Sequence, residues 1–223
     1  MDALIIPMLK ALALVPVTLL PIINPLSTAP IFAASVGTDT RLGDRLARQV
    51  AINSWIVIVV SILVGTYVLA IFGISLPVVR LGGGLLVAST AWRMLHRTDE
   101  DDVRNAAIAE TSEIPQAEIV RRSFFPITFP MTTGPGTIAA SIALGAQIPP
   151  TPVLYLAGAM VAAAGAALVS LVLYLVFKNS TKVLRALGDV GMLVMTRLMA
   201  FMLLCIGIQI MWDGWAQLNA IGK

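Results

Sequence analysis

Charge is what this sequence has least of. Only 12% of its 223 residues are charged, about half the ~25% usual in a soluble domain. A chain so poor in charge cannot cover the surface of a cytosolic globule. Cysteine is almost absent, and the single Cys205 can close no internal disulfide, which excludes a disulfide-held scaffold. The single histidine, His96, has no companion for a metal site, so zinc and redox chemistry drop out and no cofactor is expected. Long polar stretches are also missing; the one of any size is His96–Arg122, with DEDD at 99–102. That tetrad lacks the spacing and turn glycine of a calcium loop and reads as a solvated loop.

What is present is apolar. The hydrophobic share is 58% and the mean hydropathy +0.90, so lipid is the solvent the chain is written for. No charge occurs from Ala11 to Thr38, from Gln49 to Val79 or from Ser123 to Phe177. The last run is roughly twice the ~20 residues one helix needs to cross a bilayer, and Pro149, Pro150 and Pro152 divide it. Six spans are therefore expected, at about 8–36, 50–73, 76–95, 123–146, 153–177 and 190–216. They are expected to be helical, because VLYLAGAMVAAAGAALVSLVLYLVF is continuously apolar and alanine-rich, where a membrane barrel needs alternating strands. The N-terminal MDALIIPMLKALALV has no positive region ahead of its apolar run and reads as mature protein rather than a signal peptide.

The formal net charge of +3 and pI near 9.4 do not point to nucleic acid, since the basic residues sit in short loops between apolar runs. Eleven of the fifteen fall after spans one, three and five: Arg41, Arg45 and Arg48; Arg93, Arg97, Arg104, Arg121 and Arg122; Lys178, Lys182 and Arg185. The opposite side holds Lys10 and Lys223. The positive-inside rule then places these three loops in the cytoplasm and both termini outside.

The two halves of the chain are alike. Pro16, Thr18 and Pro25 recur as Pro126, Thr128 and Pro135 at a constant offset of 110, and Arg80 recurs as Arg197 in VVRLGGGLLVA and MTRLMAFMLLC. The matches occur in the same order, in the first and third span of each half. Three spans is an odd number, so a duplicated half inserts upside down. The expected architecture is an all-α polytopic membrane protein built as a 3+3 inverted-topology repeat. Residues 1–96 form the first three-helix repeat, 97–121 a polar cytoplasmic loop and 122–223 the second repeat, within one membrane domain.

Proline lacks an amide hydrogen, so Asn24-Pro25 and Gly134-Pro135-Gly136 should interrupt spans one and four near mid-membrane. A break in hydrocarbon is tolerated where it faces protein or a wet cavity, and the half-helix beyond it starts with unpaired N–H groups suited to an anion. Asn24, Ser27 and Thr28 supply polar side chains at one break; Thr132, Thr133 and Thr137 do so at the other. Local repair of kinked helices by Ser and Thr would use the same residues. Arg80 and Arg197 are costly inside spans unless they snorkel or pair, and Gln209 is placed either on a cavity or in an interhelical hydrogen bond. Gly82-Gly83-Gly84 suits close helix packing rather than a nucleotide loop, since no strand precedes it. No set of nucleophile, base and oxyanion donor can be assembled, so catalysis is not expected.

At LLPIINPLSTAPIF, FGISLPVVRLGGGLLVA, FPMTTGPGTIA and TRLMAFMLLCIGIQIMWDG the chain resembles the MarC family of bacterial integral membrane proteins over nearly its whole length. The resemblance implies a place among small neutral amino-acid transporters in the bacterial inner membrane. It gives functional weight to Asn24, Pro25, Arg80, Gly134, Pro135, Gly136, Thr137 and Arg197. Ser27 and Ala200 depart from the glycines usual at these places in the family. The partners expected are membrane lipids and a small solute; homo-oligomerisation and a proton or sodium as coupling ion are left open. Two other readings stand beside transport of neutral amino acids: transport of a lipid-linked phosphate or lipophilic anion, and a non-transporting scaffold marked by a dry, fully packed interior.

Overall fold

The computed structural model describes residues 2–37, 39–96, 123–149 and 151–221. The polar loop expected at 97–121 lies outside the described residues. Among the described residues every regular element is helical: α1 (Asp2–Ile23), α2 (Pro25–Val36), α3 (Thr40–Ile71), α4 (Leu76–Leu95), α5 (Ser123–Thr132), α6 (Pro135–Gly145), α7 (Pro152–Lys178) and α8 (Ser180–Ile221).

Both expected breaks are present. Helices α1 and α2 meet at 52° across Asn24, the one described non-glycine residue at positive φ. The second break is broader. Phe125 and Phe129 each precede a proline and are pushed to extended angles (φ −122°, ψ 125°; φ −119°, ψ 126°), as the clash with a following proline ring requires. Around them α5 winds as a π-helix; the Thr133 amide bonds the Thr128 carbonyl, five residues back, at 2.7 Å. Pro25 and Pro135 both stand at the start of the half-helix that follows, where a missing N–H costs nothing. A third break falls at Gly188 (φ 61°, ψ 178°), and beyond it α8 runs on as the apolar helix Val190–Ala220.

Among the described residues three helices are long and apolar enough to cross a membrane: Thr40–Ile71, Pro152–Lys178 and Val190–Ala220. The bent pair Lys10–Ile23 and Pro25–Ala33 makes a fourth segment of that kind. The other two of the six expected spans fall short for identifiable reasons. Arg80, Arg93 and three consecutive glycines dilute the apolarity of α4, and the second break divides its run into α5 and α6, of 10 and 11 residues. Large apolar side chains are turned outward along the spanning helices, among them Val60, Val64, Leu156, Leu171, Leu198 and Phe201, as lipid-facing surface requires.

Helices α3 and α7 run antiparallel through the core. Three cross-links set their register: Tyr174 donates to Asp44 (2.9 Å), Trp55 to the Ala163 carbonyl (3.1 Å) and Tyr155 to the Leu63 carbonyl (3.1 Å). From one link to the next the two helices advance by equal numbers of residues in opposite directions. Asp39 caps α3 by accepting the Arg41 and Leu42 amides at 2.9 and 3.1 Å, worth about 1 kcal/mol. The main core joins α1, α2, α3, α6 and α7 through Leu19, Phe32, Ile58, Ile62, Ala140 and Phe177; the Phe32 and Phe177 rings stack at 4.8 Å.

Helices α4 and α8 form a second, smaller cluster, and α4 also packs on α6, where a Cβ added to Gly83 would run into Ala139. The cluster joins Val87, Ala91 and Leu203, and the α4 and α8 backbones touch. A Cβ added to Gly207 would lie 2.6 Å from the Ala88 nitrogen, one on Gly84 2.6 Å from the Gly207 carbonyl oxygen, and one on Gly214 2.8 Å from that of Pro77. Lipid provides no hydrophobic drive between helices, so this glycine-lined approach, with its dense van der Waals contact, is what joins α4 and α8.

Candidate functional site

The two breaks face a common cavity of about 960 Å³. Asn24, Ser27 and Thr28 line it from the first break; Thr132, Gly134, Pro135, Gly136 and Thr137 line it from the second. Of the other sequence candidates, Pro25 and Thr133 are buried behind the lining. Arg80 sits half-buried at the α4–α8 seam, its Cβ 3.0 Å from where a Cβ on Gly214 would stand, and Arg197 is half-buried in α8. Gln209 is exposed and donates to Asp213 one turn on in its own helix at 2.9 Å, rather than to another helix. These three do not line the cavity.

The second break presents donors. Gly134 caps α6 in an extended conformation without any side-chain cap, and Pro135 has no N–H. The Ile138 amide closes on the Gly134 carbonyl at 3.1 Å, which leaves the Gly136 and Thr137 amides without an intrahelical acceptor at the positive end of the helix. The carbonyls freed by the π-helix are covered differently. Thr128 donates to the Ser123 carbonyl (2.6 Å), Thr132 to that of Ile127 (2.7 Å) and Thr133 to that of Thr128 (3.0 Å). Local repair by threonine and an open helix end thus coexist at one break.

The first break presents acceptors. The Asn24 amide closes α1 on the Leu20 carbonyl at 2.9 Å, and Pro25 has no N–H for the carbonyl of Pro21. The last carbonyls of α1, at its negative end, are left without backbone partners, and Ile22 and Ile23 line the cavity. Ser27 donates to the Asn24 carbonyl at 3.0 Å and Thr28 to that of Pro25 at 3.2 Å, so the start of α2 is tied locally. Asn24 itself is 4% exposed, and its side-chain nitrogen has no hydrogen-bond partner. Asparagine ordinarily caps a helix from this position. Here the left-handed backbone (φ 46°, ψ 66°) leaves α2 without a side-chain cap; the residue borders the cavity, with its unpartnered nitrogen buried in the wall.

The remaining wall comes from α4, through Leu86, Val87, Thr90, Arg93 and Met94, with Leu203 of α8. Sequence reasoning missed this wall. Its signal was the spacing of 86, 87, 90, 93 and 94, which places Thr90 and Arg93 on one helical face with Val87. His96 and Trp92 complete it; the two rings lie 4.4 Å apart, and His96 Nδ1 donates to the Trp92 carbonyl at 2.9 Å. Among the described residues no Asp or Glu lines the cavity, and no cluster of His, Cys, Asp or Glu could hold a metal ion. Unpaired amides at one end, unpaired carbonyls at the other and no carboxylate between them suit a small solute carrying both an anionic and a cationic group.

The fold and this cavity define a helical integral membrane protein with a cavity lined by two broken helices and by α4. The model of the MarC family of integral membrane proteins matches residues 9–218, and the chain belongs to that family. Proteins called inner membrane protein MarC in Salmonella paratyphi B and Salmonella typhimurium are each 29% identical to it, over 92% of this chain and 94% of theirs. The Citrobacter koseri protein of the same name is 30% identical over the same shares. No solved structure matches the chain.

Proposed function

We propose that the protein is a secondary transporter or exporter of a small zwitterion, a neutral amino acid, in the bacterial inner membrane. One observation carries the reading: two breaks at corresponding positions of the sequence repeat line one cavity, and they offer opposite backbone polarity to it. In this reading the Gly136 and Thr137 amides and the Asn24 side-chain nitrogen take the carboxylate, and the end carbonyls of α1 take the ammonium. The six spans are α1–α2, α3 and α4, then α5–α6, α7 and α8, as an inverted repeat.

Alternating access follows from the division of the helices. The glycine seam binds α4 to α8, the core binds α1, α2, α3, α6 and α7, and the two groups meet around the cavity and at the contact of Gly83 with Ala139. Displacement of the α4–α8 pair against the core would close the cavity on one side and open it on the other. With the orientation taken from the charge count, Arg93 and His96 lie at the cytoplasmic end of the cavity. A cavity of this size argues against the packed scaffold. Arg93 and His96 also favour the second transport reading, a lipophilic anion.

Counterflow of labelled alanine, glycine and serine in proteoliposomes tests the proposal. Saturable exchange of one of them supports it; exchange of an anionic solute alone would move the assignment to the second reading.

A further inference from the structure

On the lipid-facing side, away from the cavity, α3 and α7 enclose a lateral groove of about 700 Å³. Small side chains make its floor: Ala51 and Ala167 leave a notch between the helices, walled by Ile52, Trp55, Leu171 and Tyr174. Its polar end carries unbalanced charge. Asp44 is already engaged twice, by Lys178 at 2.9 Å and by the Tyr174 hydroxyl at 2.9 Å. Arg48, one turn further along α3, also acts on Asp44 through its charge, so two cations face one carboxylate and the end of the groove carries one excess positive charge.

The α3–α7 register places Arg48 level with Ser170, since each lies four residues inward of the linked pair Asp44 and Tyr174. Ser170 is 7% exposed, lines the same groove, and its hydroxyl has no hydrogen-bond partner. An exposed guanidinium in excess over the one carboxylate, and an unsatisfied buried hydroxyl at the same depth, stand above an apolar notch open to the side. We infer that this groove is a binding site for one anionic glycerophospholipid. Its phosphate pairs with Arg48, its ester region meets Ser170, and one acyl chain lies over Ala51 and Ala167. Trp55 cannot supply the polar contact, because its indole N–H is committed to the Ala163 carbonyl.

Native mass spectrometry of the purified protein in mixed micelles tests the inference with dioleoylphosphatidylglycerol, dioleoylphosphatidylcholine and glycerophosphate. The expected result is one retained phosphatidylglycerol per chain, favoured over phosphatidylcholine by about tenfold or more, with no retention of glycerophosphate. Arg48→Gln should erase the preference between the two lipids, Arg48→Lys should keep part of it, and Ala167→Leu, which fills the notch from an exposed position, should lower retention of both. Equal retention of the two lipids, an unchanged preference in Arg48→Gln, or glycerophosphate held as firmly as the lipid would overturn the inference.

Discussion

Replacing Asn24 by glycine should make the protein more stable and less able to bind solute. Asn24 holds a left-handed backbone at φ 46° and ψ 66°, and buries a side-chain nitrogen with no partner. An unsatisfied buried donor costs about 1–3 kcal/mol, and the left-handed conformation adds about 1 kcal/mol for a residue with a Cβ. Glycine removes both, at a cost of about 0.5–1 kcal/mol in unfolded-chain entropy. The net gain is about 1–3.5 kcal/mol, and a chain of this size should show it as a rise of about 2–4 °C in unfolding midpoint per kcal/mol. The same change deletes the donor that the proposed site assigns to the carboxylate, so alanine binding should weaken by about tenfold, or ~1.4 kcal/mol. Thermal unfolding in detergent, with and without alanine, reads both quantities. A lowered midpoint together with unchanged solute stabilisation would refute the reasoning, because Asn24 would then be a structural residue whose side chain is satisfied in the native state.

Gly207→Ala should cost about 1–3 kcal/mol, since its Cβ would stand 2.6 Å from the Ala88 nitrogen and 2.9 Å from the Gly84 carbonyl oxygen. Gly191→Ala, whose Cβ would meet Leu187 at an ordinary 3.5 Å, should stay within about 0.5 kcal/mol of the parent by the same unfolding assay. Gly136→Ala drives a Cβ into the Val87 side chain across the cavity wall; adding Val87→Ala should recover about 1 kcal/mol relative to the sum of the single changes in a double-mutant cycle. Gln209→Ala removes only an exposed intrahelical bond to Asp213 and should leave solute binding unchanged within about twofold. A C-terminal reporter should be active outside the cytoplasm, as the distribution of basic residues requires.

The breaks were legible because proline acts locally: Pro25 and Pro135 remove a hydrogen bond wherever the chain goes, and their offset of 110 residues survived in the sequence. The π-helix of α5 was not foreseen, although Phe125-Pro126 and Phe129-Pro130 carry its cause in the restriction proline places on the residue before it. Gly188 falls just ahead of the expected start of span six, in a stretch that holds Lys182, Arg185 and Asp189, and its left-handed angles mark the break there within α8. The α4 wall depends on which helix packs where, and hydropathy carries no such information. Arg80, Arg197 and Gln209 were singled out as polar residues in apolar surroundings, a property shared by residues at a helix seam, at the lipid boundary and in a cavity. Sequence distinguishes these settings poorly because burial is a tertiary quantity.

The central claim is that the cavity between the two breaks is where solute binds, and Ser27 offers the most direct probe of it. It lines the cavity and is nearly the size of cysteine, and the native Cys205 lies on an exposed face and can be replaced by serine. In the Cys205→Ser background, Ser27→Cys should react with a water-soluble maleimide, and saturating alanine should slow the reaction by about tenfold. Labelling at a rate that none of alanine, glycine or serine alters, in protein that still exchanges one of them across a membrane, would place the solute elsewhere and contradict the account.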